Sequence, residues 1–379
     1  MPGSRSAITV ALLMVCAVGL YPLPAAAEQY TKRPFSFAIV PGLSTNGFDA
    51  ARTRAHFSFN LFGGELGRLE GVELASLFNF EHDRALGYQG AGCLNIVLGD
   101  AGGVQTAGVG NIIGHNYYAA QFAGTFNFVR CTLNGFQAAT VNIADRVHGM
   151  QVGVANIAAS GLGMQMSVAN LALGFGGVQL GVANIAGRFE GFQQGVVNIA
   201  GRAKGFQLGV VNIADNLDGE ALGIVNIIGN GMHCLAFGYN ELGFVEIGGK
   251  LGGRSLYSVY ALGLEPWAGN QRWLAQLGLG GHVPLKSFFI DYDILAGSVR
   301  DMDDWDPGPQ NVVGRLRVCG GWRFVPGLAI CFGPTLNWTI AQYGLGLDLP
   351  TAGVPYIAIG SGTNAARIWP GFSLSLQVF

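Results

Sequence analysis

The chain has 379 residues, of which 12% are charged and 50% hydrophobic, with 61 glycines and a formal net charge of −2. A near-neutral balance without Lys/Arg runs removes the basic footprint of a nucleic-acid binder, and this much apolarity argues against disorder. Soluble domains carry about 25% charged residues, so half that share points to a surface not wholly in water. Six cysteines in so long a chain exclude a disulfide-built miniprotein.

The N-terminus reads as a cleavable secretory signal over residues 1–27. Arg5 precedes the apolar run Ile8–Leu20, Pro22 and Pro24 break it, and Ala25-Ala26-Ala27 offers small residues before Glu28. The run is too short to span a bilayer. Val15 is too bulky for lipoprotein cleavage at Cys16. No later stretch has the length of a transmembrane helix, so any crossing must be made by strands. The remaining cysteines, Cys93, Cys131, Cys234, Cys319 and Cys331, include no CxxC pair and read as small apolar fillers.

Residues 28–70 are expected to form N-terminal strands, and 71–246 a tandem β repeat. GMQVGVANIAASGL (149–162), GVQLGVANIAGRFE (177–190), GFQQGVVNIAGRAK (191–204) and GFQLGVVNIADNLD (205–218) align without gaps. Asparagine recurs every 14 residues from Asn142 to Asn240, and upstream every 16 at Asn79, Asn95, Asn111 and Asn127. The repeat is defined by pairs such as Gln151/Asn156, Gln179/Asn184, Gln193/Asn198 and Gln207/Asn212. Val, Ile and Phe between glycines predict strands, and no helical period appears. In the early units Gln and Asn are six apart, on one face of a flat strand. From Gln137 onward they are five apart, on opposite faces unless a bend intervenes. Two arrangements follow: consecutive antiparallel strands of a large barrel, or a parallel solenoid in which each Asn stacks on the next.

Residues 247–379 read as antiparallel barrel strands ending in Phe379. Over 312–324, Val312, Leu316, Val318 and Trp322 alternate with Arg315, Arg317 and Arg323. Over 328–340, Ile330, Phe332, Leu336 and Trp338 alternate with Cys331, Thr335 and Asn337. Over 288–294, Phe288, Ile290, Tyr292 and Ile294 alternate with Asp291 and Asp293. Continuous apolar faces with Trp and Tyr fit lipid-facing strands. The opposed carboxylates and guanidinia read either as a transverse field across a pore or, more plainly, as a cross-strand ion-pair ladder. The carboxylates of 301–306 read as a solvated loop, since no EF-hand spacing accompanies them. Phe372, Leu374, Leu376 and Val378 are out of parity with Phe379, and Gln377 stands where an apolar residue is expected.

The GFQxGVVNIA units, the opening FSFAIVPGLSTNGFD (35–49), the closing GPTLNWTI (333–340) and IWPGFSLSL (368–376) together resemble an uncharacterised family of bacterial secreted surface-repeat proteins of Gram-negative groups. The resemblance implies a cell-envelope, outer-membrane β protein and carries over no functional residues.

The histidines lack HExxH or i/i+4 metal spacing, GxSxG is absent, and the glycine runs lack the strand–GxxxxGK[ST]–helix context of a phosphate loop. The expectation is therefore a non-enzymatic outer-membrane β protein without catalytic residues, metal or cofactor. Its expected partners are membrane lipid and the outer-membrane assembly machinery, with no nucleic acid. The leading arrangement is an all-β antiparallel barrel of on the order of 20 strands, a passive porin-like channel with Gln105, Asn111, Gln121, Asn127, Asp291, Asp293, Arg315, Arg317, Arg323 and Thr335 facing the lumen. The alternative is a structural or adhesive surface protein, a parallel β-solenoid with a smaller C-terminal barrel as anchor. A lipid-modifying barrel enzyme has one thin candidate, His282 with the Asp301–Asp306 loop.

Overall fold

The computed structural model describes residues 30–267, 271–301, 311–340, 349, 354–359 and 366–379. The expected signal at 1–27 and positions 302–306 of the acidic loop lie outside the described residues. The described chain is almost entirely β. It opens with β1 (Thr31–Val40), β2 (Leu43–Ser44), a 3-10 helix (Gly47–Arg52) and β3 (Thr53–Asn60). Then come β4 (Gly63–Ala75), β5 (Phe78–Ala91), β6 (Leu94–Val97), β7 (Asp100–Ala107), β8 (Gly110–Ile113), β9 (Tyr117–Ala123) and β10 (Phe126–Ala138). The repeat continues through β11 (Val141–Val152), β12 (Ala155–Met166), β13 (Ala169–Leu180), β14 (Ala183–Leu222) and β15 (Val225–Ile228). Antiparallel pairing follows in β16 (Met232–Asn240), β17 (Val245–Gly252), β18 (Leu256–Glu265), β19 (Arg272–Leu285), β20 (Phe288–Asp301), β21 (Asn311–Val325), β22 (Leu328–Ile340), β23 (Ile357–Ile359) and β24 (Ala366–Val378). No helix among the described residues is long and apolar enough to cross a membrane. The chain divides into two compact units, 1–202 and 203–379.

In the first unit the repeats pair in parallel. Asn142 lies beside Asn156, Asn156 beside Asn170 and Asn170 beside Asn184, with each Gln beside the Gln of the neighbouring coil. The repeats thus take the solenoid arrangement, and the expected 20-strand antiparallel barrel does not form. Residues expected as separate N-terminal strands join the stack, β1 beside β3 and β3 beside β4, again in parallel. The register is set by buried side-chain ladders. Asn side chains from Asn79 to Asn198 each donate from Nδ2 to Oδ1 of the next, at 2.8–3.1 Å. Glutamines from Gln105 to Gln193 donate the opposite way, each to the preceding coil, at 2.6–2.9 Å. Leu66, Leu69, Val97, Ile113, Val129 and Leu133 fill the rest of this interior.

The parity change from six to five is absorbed at a bend between the Gln and Asn strands, at 153–154, 167–168 and 181–182, so both side chains point inward. Ahead of each Gln the backbone turns through a positive φ, as at Gly163 (φ 142°), where an added Cβ would lie 2.0 Å from the Gly149 carbonyl oxygen. That contact leaves room for glycine alone.

In the second unit, β14 residues Val211–Ala214 pair in parallel with β15. Parallel pairing ends at Ile228 and antiparallel pairing begins at Met232, upstream of the 246/247 division read from the repeat; Asn240 belongs to β16. Strands β16 to β22 and β24 pair in sequence, and β16 closes on β24 (Phe237 beside Leu376), giving an eight-stranded barrel. β23 pairs with β24 alone.

Candidate functional site: the polar interior of the barrel

Alternation along each barrel strand, with closure, sorts side chains into two populations. Phe237, Ile247, Leu262, Ile290, Tyr292, Val318, Phe332 and Leu374 point outward and are exposed, whereas Glu246, Lys250, Gln276, Asp291, Asp293, Arg315, Thr335 and Gln377 are buried. The outer wall is apolar, and the interior combines these polar and charged side chains with buried apolar clusters such as Phe244, Leu274, Val299, Val313 and Trp369.

Burying charges is tolerated only when they are paired and hydrogen-bonded, and this interior meets that condition in three linked groups. Asp293 lies beside Arg317 in register, accepts from its guanidinium at 2.7 Å and from the Tyr257 hydroxyl at 2.6 Å. Asp291 forms an ion pair with Lys250, contacts His282 Nδ1 at 2.7 Å and accepts from Gln377 Nε2 at 3.3 Å. Arg315 donates to Glu246 at 2.8 Å and to Asn337 at 3.0 Å, and Asn240 donates to Glu246 at 2.6 Å. Asn337 donates in turn to Thr335 Oγ1 and to Glu241. A void of about 20 Å³ remains beside Glu246, Lys250 and Arg317.

Asp291, Asp293, Arg315, Arg317 and Thr335 therefore stand inside the barrel, where the strand parity placed them. Of the ion pairs, Asp293–Arg317 and Glu265–Arg272 are cross-strand ladder contacts, while Asp291 and Arg315 reach across the interior to Lys250 and Glu246. Arg323 lies at one end, half-buried, its guanidinium over the rings of Phe289 and Phe379 at 5.3 and 4.7 Å. Sequence reading missed Glu246, Lys250 and Tyr257, and named His282, Asn337 and Gln377 without placing them in this network. The i, i+4 spacing of Glu246 and Lys250, which keeps both on one strand face, was the available signal.

Gln105, Asn111, Gln121 and Asn127 face no lumen. All four are buried rungs of the solenoid ladders, as are Gln151, Asn156, Gln179, Asn184, Gln193 and Asn198. Gln207 and Asn212 are buried in the second unit, where Asn212 donates to Asn226 at 2.8 Å. An antiparallel barrel would have sent alternate equivalents to opposite rims, whereas parallel stacking brings like residues together.

The final strand explains its own anomaly. Gln377 points inward to Asp291, and Phe379, of the same parity, packs edge-on against Phe289 at 5.9 Å.

Of the enzyme candidate, His282 and Asp301 are described, and 302–306 lie outside the described residues. His282 lies beside Asp291 in register, whereas Asp301 lies beside Arg272 at the other end of the same strand pair. His282 Nε2 faces Arg323 Nη2 at 3.2 Å, a cation in place of a nucleophile. The cysteines at 93, 131, 234, 319 and 331 are free. Among the described residues no group of three His, Cys, Asp or Glu side chains could hold a metal ion. Comparisons with protein-family models, with curated proteins and with solved structures find no match to this chain.

Proposed function

We propose that the chain is a non-enzymatic membrane protein of structural type, a small side-chain-filled barrel that anchors a β-solenoid scaffold. The observation that carries this reading is the exposed apolar outer wall of the barrel, set against ion pairs buried in its interior. An aqueous surface would leave that apolar belt unpaid by any burial, and lipid-facing strands require it. A filled eight-stranded interior favours the anchor over the porin-like channel, because open aqueous lumens belong to much larger barrels.

Loop lengths orient the anchor. Connections 253–255, 286–287 and 326–327 share one end with the start of β16 and the end of β24, while the strand ends Asn240, Glu265, Asp301 and Ile340, from which the longer connecting sequences leave, lie at the other. Membrane barrels place short turns on the periplasmic side and longer loops outside. The start of β16 and the end of β24 then belong on the periplasmic side.

The test is refolding into detergent micelles, gel mobility with and without boiling, and conductance in a planar bilayer. The expected result is a heat-modifiable band without stable conductance steps. Stable steps would restore the channel, and a chain soluble without detergent that shows no mobility shift would overturn the membrane barrel.

A further inference from the structure

The solenoid distributes polarity in an unusual way: its interior carries Asn and Gln, and much of its exterior is apolar. At the bend between the Gln and Asn strands, one residue per coil forms a ridge in the first unit, Val154, Val168, Val182 and Val196, exposed by 53, 52, 51 and 47%. Bends of a water-facing solenoid are the places for polar residues. The ridge is flanked on the Gln strand by an outward row including Met150, Met164, Val178 and Phe192, and on the Asn strand by Ile143, Ile157, Leu171 and Ile185.

Charge is confined to one segment of the coil. Between 131 and 202 the charged residues are Asp145, Arg146, Arg188, Glu190 and Arg202, and every one lies between the inward Ala of a coil and the positive-φ glycine that follows. The two apolar strands separate this charged edge from the ridge. The cross-section is amphipathic in the sense of an interfacial helix, with one edge for water and the other for an apolar phase.

Within the second unit Val210 and Ile224 hold the corresponding sequence position and are exposed, and the final coil meets the barrel. Asn226 ends the Asn ladder by donating to Ser258 Oγ at 2.7 Å, Ser258 in turn donates to the Gly223 carbonyl, and the Tyr260 hydroxyl donates to that of Ile224. Ser258 and Tyr260 share strand parity with exposed Leu262 and Leu264, so they lie on the outer wall of β18. The coil at 203–228 thus leans on the outer wall of β18, near the short connection 253–255. In this last coil the row before the Gln position changes character. Glu220 replaces the apolar residue and its carboxylate accepts from the backbone N–H groups of Ser255 and Leu256.

We propose that the valine–isoleucine ridge and its flanking rows form a lipid-contact surface, set into acyl chains, with the charged edge toward water. This rests on the reading of the barrel as a membrane anchor. The occupant is lipid because the rows are long and uncharged, stand opposite a charged edge, and match in character the exposed apolar wall of the barrel. Burying such rows contributes about 25 cal/mol per Å² of apolar surface, without requiring shape complementarity from a partner.

The experiment is photo-cross-linking of the full chain, reconstituted in phosphatidylethanolamine/phosphatidylglycerol vesicles that contain a phospholipid with an acyl-chain diazirine, with labelled sites mapped by peptide mass spectrometry. The expected result is label on the barrel's outer wall (Ile290, Tyr292, Val318) and on the ridge peptides 150–168 and 178–196, with none on Asp145, Arg146, Arg188 or Glu190. A Val168→Glu/Val182→Glu variant, altered at outward positions, loses ridge label while the barrel wall stays labelled. Label on the wall without label on the ridge would overturn this proposal and leave the barrel reading standing. Absence of label from both would overturn the barrel reading itself. Ridge label unchanged in the variant would also overturn the ridge proposal.

Discussion

Asn170 offers the sharpest test of the ladder as the source of register and stability. Its Oδ1 accepts from Asn156 at 3.1 Å and from the Ser167 hydroxyl at 2.7 Å; its Nδ2 donates to the Leu180 carbonyl and to Asn184 Oδ1, both at 2.8 Å. In Asn170→Ala, Asn184 Oδ1 loses this donor at a fully buried position, a penalty of about 1–3 kcal/mol. The Leu180 carbonyl keeps the Ser167 N–H and Asn156 keeps the carbonyls of Gln151 and Met166, so those two lost bonds add only about 1 kcal/mol each. The expected loss is roughly 3–5 kcal/mol. Because each coil contacts only its neighbours, the loss is local. Hydrogen exchange of the full chain in detergent, read by mass spectrometry, should show amides between 155 and 194 exchanging roughly a hundredfold or more faster, at 1.4 kcal/mol per tenfold, with 84–107 unchanged. Asn170→Asp keeps the acceptors, loses both donations and buries a charge, so its defect is worse at neutral pH and eases as acid protonates the carboxyl. A loss under about 1 kcal/mol, or one spread evenly over the chain, would refute the ladder argument.

Three further outcomes follow from the same structure. Ala119 occupies the row of positive-φ glycines at φ 108°, so Ala119→Gly should relieve strain and raise stability by about 1 kcal/mol, seen as slower exchange of coils 101–138. Burial, then the neighbouring Glu73, raises the Glu81 carboxyl well above its ordinary range. The native state therefore holds a proton that the unfolded chain releases, and stability falls as pH rises through the ordinary carboxyl range toward the raised native value. Glu81→Gln should stabilise these coils at neutral pH and flatten their unfolding temperature against pH; an unchanged slope would refute the assignment. In the barrel, Asp291→Ala leaves Lys250, 2% exposed, buried without its partner. A cost of about 3–5 kcal/mol is expected, with the heat-modifiable band lost at lower temperature. Replacing the pair together, Asp291→Ala/Lys250→Met, should recover part of it.

What the sequence by itself determined is local and periodic. Val- and Ile-rich units punctuated by glycine leave a strand and a bend as the only repeating structure, and period-two alternation over 288–340 separates Asp291, Asp293, Arg315 and Arg317 from Ile290, Tyr292 and Val318 before any pairing is known. Pairing direction was not legible, because a 14-residue spacing of Asn is compatible with antiparallel or parallel neighbours, and only the buried Asn and Gln ladders distinguish them. The change from six to five residues between Gln and Asn looks like a change of face on a flat strand. The bend at 153–154 and its equivalents is a property of the closed coil. Which charge meets which inside the barrel depends on closure and on register summed over several strands, so Lys250 with Asp291 and Glu246 with Arg315 had no local signal beyond parity. Gln377 and Phe379 gained meaning in the same way: the last strand must satisfy Asp291 within the barrel as well as close it.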